Sequence, residues 1–259
     1  FHAKNVTDFL TFNRNNPNSI LYCLSKAREN AKAIRETISS EMWLELNTIY
    51  LYVQKTSLNT KNTEASHQFF NRIIRQCQLL TGIADTCLSH NEPWYFGRIG
   101  NLLERADMTT RILDVKYFML LPSPEYVGTP FDNIQWCALL KSASALEMYR
   151  KIWHQIRPER VVDFLILNRE FPRSVMSCLL RMEISLTYMT REEENLIEPH
   201  PFQAVKALIH ELENLSGESI IKKGFHEFID DLQLKLMTVH ATLYQRYFST
   251  EAPLAQEIS

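Results

Sequence analysis

The stretch WYFGRIGNLLERADMTTRILDVKYFMLL, Trp94 to Leu121, decides the fold class. It contains no proline and reads as a single helix of about 28 residues. Ile99, Leu102, Leu103, Ala106, Thr110, Leu113, Tyr117 and Leu120 recur at steps of one, three or four and draw one apolar stripe. At about 100° per residue, Glu104, Met108, Arg111, Ile112 and Val115 fall on the other side. That side is apolar too, with a carboxylate and a guanidinium set into it. A helix apolar on both sides needs a covering layer on each, so the pattern predicts a central, buried helix. Glu104, Arg105, Asp107, Arg111 and Asp114 are then charges inside the protein.

Working outward, the remaining chain repeats the same helical grammar. VTDFLTFNRNNPNSILYCL (Val6 to Leu24) aligns without a gap on VVDFLILNREFPRSVMSCL (Val161 to Leu179), at a constant offset of 155 and with ten of nineteen positions identical. Chance does not produce that, so the sequence predicts a duplication. Each copy reads as a short helix stopping near Asn13 or Asn168. Pro17 or Pro172 then sits in the first turn of the next helix, where a missing N–H is harmless, with Ser19 or Ser174 beside it as a capping residue. The alternative, that the paired Asn and Ser hold a ligand, is weaker, because these are the residue types that helix starts need.

Further amphipathic runs follow. Glu41–Gln54 has Trp43, Leu46, Ile49 and Tyr50 toward a core, and Arg28, Arg35 and Glu41 read as solvated faces and helix-pair salt bridges. Thr56–Thr63 is polar and reads as a loop. Ser66–Cys87 is amphipathic, with Phe69, Phe70, Ile73, Ile74, Cys77 and Leu80 as its apolar side. Pro122–Pro130 reads as a loop and Phe131–Ile156 as one or two helices, while Phe202–Leu215 and Glu218–Phe248 close the chain. The fold class is all-α: a duplicated multi-helix bundle with a pseudo-two-fold internal repeat, residues 1–259 forming one domain.

Composition narrows the function. The chain has 259 residues, 45% of them apolar and 22% charged, with ten prolines against six glycines. Its net charge is −2, and the calculated pI of about 6.5 offers no bulk attraction for nucleic acid or anionic lipid. Apolar runs such as Tyr117–Leu121 are far short of a membrane span. Cys23, Cys77, Cys87, Cys137 and Cys178 are odd in number and scattered, mostly at core-like helix positions, which predicts a reduced, cytoplasmic chain.

Motifs for catalysis are scarce. There is no His-Glu-x-x-His, no Cys-x-x-Cys and no Gly-x-Ser-x-Gly. A di-iron bundle needs two Glu-x-x-His pairs. Glu64–His67 fits that spacing but lies near a loop, and Pro199 spoils Glu198–His200. No metal and no cofactor are expected. His210 and His226 lie on amphipathic helices with no evident partner. Gly97 and Gly100 sit within a helix, where they predict close approach of another helix rather than a phosphate loop.

GRIGNLLERADMTTRILDVKY, with ARENAKAIRETISSEMWLELN, WCALLKSASALEMYRKI and the two F-L-x-x-N-x-x-x-P-x-S copies, resembles the bacterial alpha-E domain family over essentially the whole chain. On this resemblance the Glu-Arg pair for which the family is named falls on Glu104 and Arg105. The resemblance also implies a similar Glu-Arg helix nearer the N-terminus, and the offset of 155 places its partner upstream of Phe1. The chain is therefore expected to lack its first helix or helices. The resemblance further implies association with circularly permuted ATP-grasp proteins and transglutaminase-like peptidases, a setting of amide-bond formation and cleavage.

Three readings of the Glu-Arg helix result. In the leading one the chain is an accessory protein that positions an ATP-grasp-type amide ligase or its peptide substrate. In the second it is an enzyme or ligand binder, with Glu104 as base and Arg98, Arg105 and Arg111 clamping a carboxylate or phosphate. In the third, Arg98, Glu104, Arg105, Asp107 and Arg111 form a buried structural network. Adjacent helical residues point about 100° apart, so Glu104 and Arg105 need separate partners in every case. Breaking a buried pair costs about 3–5 kcal/mol, so the third reading expects Glu104→Gln to destabilise the fold sharply.

Overall fold

A computed structural model describes residues 2–59, 67–120, 130–191 and 199–249, with the side chains of all but 59, 116–120, 130 and 131. Every regular element among the described residues is helical. The expected loop Pro122–Pro130 lies outside them apart from its last residue, as do Thr60–Thr63, Glu64, Glu198 and the side chains of Tyr117 and Leu120. The helices divide between two compact units, Phe1–Trp94 and Tyr95–Ser259.

In the first unit, α1 (Ala3–Phe12), α2 (Ile20–Ala33), α3 (Ser40–Asn59) and α4 (His67–Cys87) pack in sequence order. Leu21 and Leu24 of α2, Ile49 and Val53 of α3, and Phe69 and Ile73 of α4 form its core. Fully burying such a side chain contributes about 1.5–3 kcal/mol. Helix α3 runs to Asn59, through the first half of the expected Thr56–Thr63 loop. Arg28 is not a solvated cation. Its Nε donates to Asn47 Oδ1 at 2.8 Å and its guanidinium lies over the Trp43 and Tyr50 rings, joining α2 to α3.

The second unit holds most of α5 (Glu92–Leu120), then α6 (Pro130–Ser142), α7 (Leu146–Ile152) and α8 (Pro158–Val162). A π-helical turn, Asp163–Leu167, leads to α9 (Val175–Thr190), α10 (Pro201–Glu213), α11 (Gly217–Lys223) and α12 (Phe225–Tyr247). Ala106 and Leu113 of α5 meet Leu140, Tyr149, Val161, Leu179, Met182, Val205 and Leu236 in one core. Helix α9 packs on α10, α10 on α12, and α11 on α8. The middle of this unit is α9, not α5: nine of its sixteen residues are buried, from Val175 to Thr190.

The two homologous-looking segments carry the same local bonds. Asn13 Oδ1 accepts from the backbone N–H groups of Asn15 and Asn16, as Asn168 Oδ1 does from Glu170 and Phe171. Ser19 accepts from Tyr22 N–H at 3.2 Å, and Ser174 from Ser177 N–H at 3.1 Å. Each serine hydroxyl donates back to its asparagine carbonyl, and the thiols of Cys23 and Cys178 donate to the carbonyls of Pro17 and Pro172. The serines are thus the N-caps themselves, and the prolines lie two residues before them rather than inside the first turn.

Two other expectations change, while the stretch read as one or two helices is two, α6 and α7, with Ser144 at φ +52° between them. The expected last helix is two, broken at Gly224, whose φ of +114° is a conformation that side chains disfavour. Of the cysteines only Cys178 is buried, while Cys23, Cys77 and Cys87 are exposed.

Candidate functional site on helix α5

Helix α5 has four distinct sides, set by about 100° of rotation per residue. Its buried side is Ile99, Leu102, Ala106, Thr110 and Leu113, as the stripe required. The opposite side is open. Gly97, Gly100, Asn101, Glu104, Met108, Arg111 and Val115 are all exposed, Val115 by 54%. The expectation of a helix buried all round is therefore overturned. Alternating apolar and charged residues on that side read as an inward face in the sequence, yet they meet solvent. At Gly97 and Gly100 an added Cβ would find open space, so the expected close helix contact is absent at both positions.

The two flanks carry opposite charge. On one, Arg105 is half-buried. Its Nη2 donates to Asn101 Oδ1 at 2.8 Å and its Nη1 to the Pro172 carbonyl at 3.4 Å. One turn on, the buried Thr109 hydroxyl lies 2.9 Å from the Arg105 carbonyl and 2.8 Å from the Arg173 carbonyl. Arg105 and Thr109 together fasten α5 to the loop that starts α9. Burial disfavours the Arg105 charge and lowers its pKa, and the guanidiniums of Arg173 and Arg181 act in the same direction. Burial also pushes the Cys178 thiol up to about 11, so it is neutral near pH 7.

On the other flank, Asp107 accepts from Arg111 Nε at 2.6 Å, one turn along the helix, and that bond raises the Arg111 pKa. A further two turns along, Asp114 Oδ1 lies 2.8 Å from His226 Nδ1 of α12. His226 Nε2 faces Asp230 at 3.4 Å. The hydrogen bond with Asp114 raises the His226 pKa, and Asp230 adds to it. His226 was expected to have no evident partner. Asp230, four residues on, was a local signal; Asp114 is 112 residues away and gave none.

Ligand atoms of Asp114, His226 and Asp230 lie within 4.8 Å of one another. One imidazole and two carboxylates are a donor set of the kind that suits zinc-type ions. Here both ring nitrogens already face carboxylate oxygens, which suits a doubly protonated imidazolium equally well. The short motif Glu64–His67 gains nothing comparable: His67 is exposed and Glu64 is outside the described residues. His200 is buried, and its Nδ1 accepts from Phe202 N–H at 3.1 Å to start α10.

The structure thus places Arg105 on one flank, Asp107 on the other and Glu104 on the open side between them. The Glu104 carboxylate has no hydrogen bond or ion pair with any described residue, while Arg98 lies two turns before Arg105 on the same flank. Arg111 is engaged by Asp107 and points away from Arg105. A shallow hollow of about 230 Å³ lies elsewhere, against Arg169, Glu183, Lys206, His210 and Glu213. It is crossed by the Arg169–Glu213 ion pair at 3.0 Å.

Among the described residues, then, every regular element is helical, and the longest helix carries Glu104 on an open side with Arg105 on the flank beside it. The chain belongs to the Alpha-E family, described as a predicted alpha-helical domain with a conserved ER motif, whose model matches residues 2–248. Among curated proteins and among solved structures nothing matches it. The dipeptide occurs twice, at Glu104–Arg105 and at Glu159–Arg160 in α8. The second pair was passed over in the sequence. Its backbone carries a structural contact: the Glu159 carbonyl lies against Gly217. No described helix is long and apolar enough to cross a membrane.

Proposed function

We propose that this chain is a non-catalytic accessory protein that binds and positions an ATP-grasp-type amide ligase or that ligase's peptide substrate in the cytoplasm. A transglutaminase-like peptidase is its second partner. The ligase and peptidase come from the resemblance to bacterial alpha-E proteins. The observation that carries the accessory role is the open side of α5. Gly97 and Gly100 leave the backbone accessible there, and Met108 and Val115 are exposed beyond them, two turns apart on the same side.

The catalytic reading has less behind it. Its base, Glu104, stands in solvent, and two of its three clamp residues, Arg105 and Arg111, point to different sides of the helix. The buried-network reading loses Glu104 for the same reason. The matching bonds at Asn13–Ser19–Cys23 and Asn168–Ser174–Cys178 support a duplicated origin for the two halves.

The test is a pull-down with the ATP-grasp ligase encoded beside the gene, followed by ATP turnover with and without this chain. A complex with altered turnover, weakened by Met108→Glu, is the expected result. No complex and no change in turnover overturn the proposal.

A further inference from the structure

The strongest unassigned feature is the cationic flank of α5. Arg105 is held in place on two sides, by Asn101 Oδ1 at 2.8 Å and by the Pro172 carbonyl at 3.4 Å. The next residue, Arg173, is anchored by its own carbonyl to Thr109 at 2.8 Å. The Cys178 thiol reaches the same Pro172 carbonyl at 3.6 Å. Arg181 follows Cys178 by three residues, one turn along the same face of α9. Arg105 of α5 and Cys178 of α9 thus meet at one carbonyl, with Arg173 next to it in the chain and Arg181 one turn beyond Cys178, near enough for both guanidiniums to act on Arg105.

No described carboxylate forms an ion pair with any of the three. The groups acting on Arg105 are its burial, the Cys178 thiol and the other two guanidiniums, none of them a carboxylate. The thiol is neutral near pH 7, since burial pushes it up to about 11. The guanidiniums of Arg173 and Arg181 make no hydrogen bond or ion pair with a described side chain, and Arg173 is exposed. Helix α9, sixteen residues long, adds the partial positive charge of its N-terminus at Ser174–Val175. Like charges collected without a counter-charge cost free energy unless an anion joins them.

We propose that Arg105, Arg173 and Arg181 form a binding site for an oxyanion, a phosphate or carboxylate group. Arg105 gives a fixed donor edge, with N–H groups beyond the two already engaged, and Arg173 and Arg181 close on the anion from the α9 side. Planar forked donors match two oxygens at once. Three such forks favour a phosphate group, with three oxygens, over a carboxylate with two. The site is independent of the ligase proposal, because it needs no partner protein to bind an anion.

The experiment is isothermal titration of the full chain with inorganic phosphate and, separately, with acetate. It is repeated on Arg173→Gln/Arg181→Gln and on a distant charge control, Lys222→Gln. Neither guanidinium takes part in the α5–loop contacts, so the double variant is expected to fold, with an unchanged circular dichroism spectrum. Saturable binding is expected in the wild type and in Lys222→Gln, weakened at least tenfold in the double variant. Stronger binding of phosphate points to a phosphorylated ligand, and stronger binding of acetate to a carboxylate one. No saturable binding of either anion overturns the proposal, as does equal binding by the double variant or an equal loss in Lys222→Gln.

Discussion

The hydroxyl of Thr109 and the carbonyl of Arg173 lie 2.8 Å apart, and through them α5 holds the loop from which α9 begins. Thr109 is buried, so removing the hydroxyl leaves a carbonyl short of its donor. Thr109→Val is expected to cost about 1–3 kcal/mol, read as a lower urea midpoint at an unchanged slope. Thr109→Ser, which keeps the donor, should lose less. Equal stability of Thr109→Val and wild type would remove this contact from the account of the fold.

Glu104→Gln should behave as a surface substitution. The carboxylate is exposed and bonds to no described residue, so unfolding is expected to shift by no more than about 0.5 kcal/mol. A loss of several kcal/mol would return the buried ion network that the sequence suggested.

His226 makes a pH-dependent link between α5 and α12. The charged groups that face it are Asp114 from α5, with Asp230 and Glu227 from its own helix. Its folded pKa is raised, first by the bond with Asp114. The stabilisation is then fully present below the ordinary histidine pKa of about 6.5 and is lost as pH rises through the raised folded value. His226→Gln should therefore lower the melting temperature more at pH 6 than at pH 9. A difference that grows with pH would have the wrong sign for this link.

Two glycines should respond in opposite directions. A Cβ on Gly217 would lie 2.0 Å from the Glu159 carbonyl oxygen, and the Gly217 N–H donates to Asp163 Oδ1 at 2.6 Å. Both contacts involve backbone, so Gly217→Ala must push α11 off α8, at about 1–3 kcal/mol. Gly97→Ala enters open space on a helix and should gain about 0.5–1 kcal/mol. Thermal melts of the pair check both signs.

How far the sequence could be read depends on the range of the interaction. The helices were legible because Ile99, Leu102, Ala106 and Leu113 announce their shared side within a few turns. The serine caps were legible for the same reason, since Ser19 and Ser174 bond three residues ahead. The open side of α5 was not, because Met108 and Val115 look alike whether or not a neighbour covers them. Nor was the company of Arg105, which depends on Pro172, 67 residues away. The break at Gly224 hid inside an unbroken apolar pattern, because a single positive φ leaves no trace in periodicity.

The unequal flanks of α5 have a directional consequence. Asp107 is matched by Arg111, and Asp114 is taken up by His226, so the carboxylates on that border of the open strip already have partners. The border at Arg105 is cationic, with Arg173 and Arg181 beside it. A partner helix laid along the strip would thus feel a sideways gradient. If its acidic residues ran down one edge only, turning it end for end would carry them from the cations to the other border. The strip would tell head from tail in whatever lies on it.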